Sequence, residues 1–212
     1  MSGILKVNTR ANWASLNPTL LNGECGIETN TNNLKVGNGV SPWSKLPYFS
    51  SPGYWGSFWD LTSQTATADT PTSILLRSRD TANRGISVVA DSRITFDQAG
   101  VYSLTFSIQF SNTDTAIHDI DVWLRKNDSG ATGDVPATTS KFSIISSHGG
   151  IAGNVIGTVN YVLPVVANDY LELMWATSNA QAYIHAEAVQ TTPYARPSIP
   201  GIICTVVQVA SA

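Results

Sequence analysis

Asp114, His118, Asp119 and Asp121 stand close together in the stretch NTDTAIHDID. Carboxylate oxygens such as those of Asp114, Asp119 and Asp121 are what Ca2+ takes, and an added imidazole is what a transition metal takes. The stretch lacks the paired spacing of a zinc site and reads as a loop entering a strand, so a solvated polar loop is expected and no metal. SSHGG offers a hydroxyl and a base in Ser146 and His148. Near neighbours in a Gly-terminated loop do not by spacing meet the geometry of an activated nucleophile, and no carboxylate is evident to orient the imidazole. Cleavage of a glycoside needs two carboxyl groups flanking a groove, and Glu24, Glu28, Glu172 and Glu187 are scattered. The glycines of GNGV and GDV open no helix, which leaves phosphate cradling unsupported. No enzyme and no cofactor are expected.

The aromatic residues offer another chemistry. Trp13, Trp43, Trp55, Trp59, Trp123 and Trp175 could stack on sugars or anchor protein contacts. Trp55 and Trp59 lie where the chain changes character and suit an interface. Trp123 shares with Asp121 and Arg125 what reads as an outer face, and with His148 it is the expected contact if a sugar is bound. The mixed-charge segment RSRDTANRG reads most simply as a solvated loop, although Arg77, Arg79 and Arg84 could pair across an interface between copies.

These residues must be carried by strands. The 212-residue chain is 42% hydrophobic, enough for one good core and a small extra module. Only 13% of residues are charged, so the polar surface is largely Ser, Thr, Asn and Gln, which is cheap to desolvate against a partner. Twelve basic against fifteen acidic residues, a formal charge of −3, argue against nucleic acid as a partner. The first ten residues lack signal-peptide character and no apolar run reaches a membrane span, so folding in the cytoplasm without a membrane partner is expected. Cys25 and Cys204 are expected as reduced thiols.

Up to about residue 50 the chain is rich in Gly and Asn, and ECGIET and NLKVGNG read as strands around a turn at Asn30–Asn33, a small hairpin module. Beyond it, apolar and polar residues alternate between turn clusters. In GVYSLTFSIQF, Tyr102, Leu104, Phe106, Ile108 and Phe110 point one way, and Ser103, Thr105, Ser107 and Gln109 the other. The second set is polar without charge, as befits a face turned to a neighbouring subunit. In DIDVWLRKND, Ile120, Val122 and Leu124 form the inner face. The last strand, GIICTVVQVA, is apolar on both sides: Ile202, Cys204 and Val206 oppose Ile203, Val207 and Val209. About ten short strands are expected, an antiparallel jelly roll.

The stretch NWASLNPTLLNGECGIETNTNNLKVGNGVSPWSKLPYF resembles the module that opens many tail-fibre and related virion proteins of tailed bacteriophages. The shared positions are Trp13, Asn17 with Pro18, Leu20, Gly23 with Glu24, Gly26, Glu28 with Thr29, Lys35, Gly37 to Gly39, Trp43 and Leu46 to Tyr48. Cys25 replaces the usual aliphatic residue, and Asn38 the usual Asp. FDQAGVYSLTFSIQF, VWLRKND and ANDYLELMW resemble strands of the tumour-necrosis-factor and complement-head jelly rolls. The resemblances imply an all-β chain in three parts: a virion-docking module (1–50), a joint (51–56) and a trimeric jelly-roll head (57–212). Docking is expected of Trp13, Asn17, Pro18, Gly23, Glu24, Gly26, Lys35, Gly37, Gly39, Trp43, Pro47 and Tyr48. Trimer contact is expected of Ser103, Thr105, Ser107, Gln109, Ile203 and Val207. The joint is short for a fibre shaft, so the expected function is a capsid decoration or short head-fibre protein, located in the virion and bound to other capsid or tail proteins. The alternative is a tail-fibre or receptor-binding tip recognising host-surface glycan.

Overall fold

The computed structural model describes residues 5–49 and 53–211, within two compact units, Met1–Pro52 and Gly53–Ala212. The first unit begins with strand β1 (Lys6–Asn8) and a seven-residue helix α1 (Arg10–Leu16). Thr9 caps the helix, its hydroxyl accepting from the Asn12 N–H at 3.2 Å. Asn17 ends the helix in the left-handed region at φ 39°, next to Pro18, which cannot continue it. Strands β2 (Cys25–Glu28) and β3 (Leu34–Val36) form the hairpin expected around the Asn-rich turn. β1 joins β2 in parallel, with Val7 level with Ile27. The module is thus the expected hairpin with a parallel strand and a helix added to it. The helix escapes a reading by periodicity because it buries a single residue, Trp13.

The second unit contains β4 (Trp55–Asp60), β5 (Thr72–Ser73), β6 (Ser78–Arg79), β7 (Ile86–Val89), β8 (Arg93–Phe96), β9 (Gly100–Asn112) and β10 (His118–Lys126). β11 (Ser140–Ile144), β12 (Gly153–Val165), β13 (Tyr170–Thr177), β14 (Ala182–Ile184) and β15 (Ile202–Ser211) follow. They make two six-stranded antiparallel sheets. One has the order β12-β9-β15-β4-β6 with β14 paired to β9, and the other β11-β10-β13-β8-β7 with β5 paired to β13. The fold is the expected jelly roll, with more strands than the ten expected. Trp55 and Gly56, read as part of the joint, belong to β4, while Ser51 and Pro52 lie outside the described residues.

Alternation explains the core between the sheets. Tyr102, Leu104, Phe106, Ile108 and Phe110 of β9 are buried, and so are Ile120, Val122 and Leu124 of β10 and Ile202, Cys204 and Val206 of β15. Burying an aliphatic or aromatic side chain of this kind contributes about 1.5–3 kcal/mol. Both cysteines are free, and burial pushes the Cys204 thiol up to about 12. Proline is tolerated at Pro164 because β12 is an edge strand. Arg77 does not stand free for a cross-trimer pair. Its guanidinium donates to the buried Asp60 carboxylate at 2.6 and 3.2 Å, because a carboxylate at that depth needs a paired cation.

Candidate functional site

In the first unit the residues of the shared motif fold inward. Trp13 and Trp43 stack at 4.3 Å between ring centres and, with Leu20 and Leu46, form the core. Gly26 lies beneath them; a side chain there would meet the Trp43 ring at 2.6 Å and Trp13 at 3.2 Å. The Lys35 ammonium is buried, donates to the Trp43 carbonyl at 2.9 Å and lies 4.5 Å from the centre of the Tyr48 ring. Burial pulls its pKa down. Glu28, fully buried, accepts from the Tyr48 hydroxyl at 2.9 Å and from Thr31. Burial opposes its charge, but those hydroxyls and the nearby Arg10 and Lys35 outweigh it and hold the carboxyl below the ordinary range. Glu24 takes the Leu21 N–H at 2.9 Å and Lys6 at 2.9 Å. Asn17 accepts from the Ser44 N–H at 2.9 Å.

Of the twelve residues expected to dock, five are buried, Pro18 and Glu24 are half-buried, and Asn17, Gly23, Gly39, Pro47 and Tyr48 are exposed. Trp13, Gly26, Lys35, Gly37 and Trp43 are buried and cannot be contact residues as they stand. The opposite side of the sheet is apolar and open instead. Val7, Ile27, Leu34 and Val36 share it by register, and Phe49 extends it, its N–H donating to Leu34 at 2.7 Å. Val7 is 59% and Phe49 61% exposed.

In the head, the residues assigned to a trimer interface come together. Ser103, Thr105 and Ser107 of β9 stand opposite Val207, Thr205 and Ile203 of β15, which in turn face Trp55, Ser57 and Trp59 of β4. On the other side of β9, Gln109, Ser107, Thr105 and Ser103 pair with Ile156, Thr158, Asn160 and Val162 of β12. None of these outward residues carries a charge. The Asn160 amide ties Ser103 and Thr105 together at 2.7 Å each, so much of the polar surface is already self-satisfied.

The other sheet carries charge on its outer side, where Asp119, Asp121 and Lys141 reach solvent and Arg125 and Glu172 are covered. Asp121 lies opposite Lys141 and Ala176, Trp123 opposite Met174, and Arg125 opposite Glu172. Asp114, Asp119 and Asp121 do not converge on an ion. Asp114 is paired with His118 at 2.8 Å, Asp119 accepts from Ser143 at 2.6 Å, and Asp121 lies 3.8 Å from the Lys141 ammonium. Beside Trp123 the chain leaves the β10 edge and returns through residues 134–139. The groove so formed, about 390 Å³, is lined by Asp121, Trp123, Asp134, Val135, Pro136, Ala137, Thr139 and Ala176. Arg125 donates to Asp134 at 2.7 Å and holds that carboxyl below its usual range against the cost of burial.

His148 is not part of this groove. It begins a tight turn in which the His148 and Ile151 backbones exchange hydrogen bonds at 2.9 and 3.0 Å across Gly149 and Gly150, both at positive φ. That turn lies past the Ile144 end of β11, which pairs with His118, five residues along β10 from Trp123, ~17 Å. Among the described residues the His148 side chain has no hydrogen bond, and nothing there assembles with Ser146 into a nucleophile. The groove wall is what the sequence does not show. The one sequence signal in the DVPATTS run is Pro136; the left-handed Ala137 at φ 61° beside it is visible only in the structure.

Comparison with known proteins divides the chain in the same way. Residues 4–41 match the family model of the major tropism determinant N-terminal domain. No curated protein matches the chain. Among solved structures, the Eiger TNF of S. frugiperda is similar at 13% identity and a TM-score of 0.53, over 76% of this chain and 95% of that one. The globular domain of zebrafish complement 1qA is similar at 10% identity and a TM-score of 0.45, over 76% of this chain and 99% of that one. At such identities the likeness shows a fold, and the head has the jelly-roll fold of TNF.

Proposed function

We propose that the chain is a non-enzymatic host-attachment protein of a tailed-phage particle, its first unit fixing it to the virion and its trimeric head meeting the cell. The observation that carries this reading is the match of residues 4–41 to the N-terminal domain of a tropism determinant, joined to a jelly-roll head. The capsid-decoration reading rested on the shortness of the joint, and the family match favours the receptor-binding alternative over it.

Docking is assigned to the exposed motif residues together with the open face that the buried ones shape. A module whose core is Trp13, Leu20, Trp43 and Leu46 is small for independent stability, and its open face of Val7, Ile27, Leu34, Val36 and Phe49 is suited to being covered, by the virion or by the same face of neighbouring copies. Trimerisation of the head is supported by the uncharged face of β9, β12, β15 and β4, where half-exposed Ile203 and Val207 lie among hydroxyls.

The test uses particles lacking the protein. They should assemble intact and fail to adsorb, and soluble protein should compete with adsorption of particles that carry it. Particles that adsorb normally but break on heating would return the reading to capsid decoration. Protein lacking residues 1–50 should keep a folded head and lose incorporation into particles.

A further inference from the structure

Resting on the attachment reading, we propose that the groove beside Trp123 binds a neutral saccharide through adjacent hydroxyls that bridge the Asp121 carboxylate and the Trp123 indole. Asp121 Oδ1 and Trp123 Nε1 are buried atoms without a hydrogen-bond partner. They stand two residues apart on one face of β10, ~7 Å between Cα atoms, and line the same groove of about 390 Å³. One is an acceptor and the other a donor, and each is stabilised by a ligand that supplies its complement. A hydroxyl donates and accepts, so a pair of hydroxyls on neighbouring ring carbons can serve both.

The alternatives serve only one of them. A cation would satisfy Asp121 and leave the indole N–H unpaired; an anion would do the reverse and meet two carboxylates. Nor does the groove hold surplus charge to attract an ion, since Asp134 is paired with Arg125 at 2.7 Å and Asp121 has Lys141 at 3.8 Å. Val135, Pro136, Ala137 and Ala176 give the groove apolar walls against which the C–H face of a pyranose can lie. The wall is held before any ligand arrives. The Val135 N–H donates to Leu124 at 2.8 Å, the Thr138 hydroxyl bonds Val135 and Leu124, and the Tyr161 hydroxyl donates to the Thr138 carbonyl at 2.6 Å. The wall is therefore ordered in advance, and a ligand need only shift the side chains that cover Asp121 Oδ1 and Trp123 Nε1.

The experiment is a titration of the full-length, 15N-labelled protein, followed through its tryptophan indole resonances. The resonance missing from Trp123→Phe identifies the reporter, and the other five show that the fold is kept. The probes are methyl glycosides of glucose, galactose, mannose and N-acetylglucosamine, with N-acetylneuraminic acid, sodium sulfate and calcium chloride for comparison. The reporter should move with at least one neutral glycoside, and Asp121→Asn should weaken that binding about tenfold or more. A reporter that no neutral glycoside moves, that the ions move equally, or that responds the same in Asp121→Asn overturns the proposal. Adsorption separates it from the reading beneath it. If wild-type protein does not compete with particles for cells, the attachment reading fails; if Asp121→Asn competes as well as wild type, attachment stands and the groove proposal fails.

Discussion

The two sheets of the head bury the same kinds of side chain and turn opposite kinds outward. Behind β9 lie Leu104, Phe106 and Ile108, and behind β10 lie Ile120, Val122 and Leu124, all fully buried. In front of β9 stand Ser103, Thr105, Ser107 and their uncharged neighbours; in front of β10 stand Asp119, Asp121, Trp123 and Arg125. The inward half of each strand makes the fold, and any apolar set of the right volume would serve. The outward half is free of that duty, so its difference reports what each face meets. A surface of hydroxyls and half-exposed aliphatics is inexpensive to dehydrate against another protein, whereas a lattice of ion pairs around a groove is suited to water and to a small polar ligand.

The largest test places a charge at the centre of the uncharged face. Thr205 lies between Thr105 and Ser57, and Thr205→Arg would bring three like charges together at the proposed trimer axis. Association should weaken by about two to three orders of magnitude or more, giving single-chain mass in light scattering. Arginine at Thr95, outward on β8 of the other sheet, should leave the trimer unchanged. If Thr205→Arg stays trimeric, the interface is elsewhere. Next in size are neighbouring residues on β9. Phe106→Ala should cost about 3–5 kcal/mol of head stability in denaturant melts. Thr105→Ala, one residue away and facing out, should cost within about 0.5 kcal/mol in the dissociated chain. Equal costs would mean that inward and outward positions are not separate in function.

That division was largely legible in the sequence, because period-two alternation names both faces of a strand at once. β9, β10 and β15 are each long enough to show it. What was not legible depends on residues far apart in the chain. Glu28 finds Tyr48 twenty residues on, and Asp60 finds Arg77 seventeen on. The tryptophans and glycines of the module read as surface because their spacing follows no period, and only their folding onto one another shows Trp13 and Trp43 to be core. Trp123 was recognisable as outward-facing. The groove beside it depends on where residues 134–139 return, which tertiary bonds such as Tyr161 to Thr138 decide.

Acid gives a smaller and graded separation of the faces. Asp134 is held below its ordinary pKa of 3.8 chiefly by Arg125, and Asp119 chiefly by Ser143. At Asp169, burial is outweighed by Lys126, Asn127 and the Val166 N–H. Each is depressed in the folded state, so the stability it contributes is complete above about 3.8 and is lost as pH falls through the folded values. Head unfolding followed by circular dichroism should therefore become easier below about pH 4. The uncharged face has no group to titrate there, so mass should remain that of the trimer until the head itself unfolds. Dissociation near pH 5 with the head still folded would place titrating carboxylates in the interface.

The smallest effect is expected at Lys141, where the charged face can be altered without touching fold or assembly. Its side chain is 60% exposed, and the ammonium pairs at 3.4 Å with Asp119 and 3.8 Å with Asp121. Exposed pairs of this kind are screened by water, and Lys141→Ala should change stability by about 0.5 kcal/mol or less, a shift of about 1–2 °C in Tm. Its consequence lies in the groove. Without the ammonium, Asp121 becomes an unbalanced carboxylate beside the Trp123 indole, and cations should begin to compete for the space. Calcium chloride, silent toward the wild-type indole reporter, should then move it in Lys141→Ala, while the trimer mass stays the same. If the variant lost several degrees of Tm, or changed its mass, the charged face would be part of the structural frame, and the contrast between the two faces would not be one of assembly against recognition.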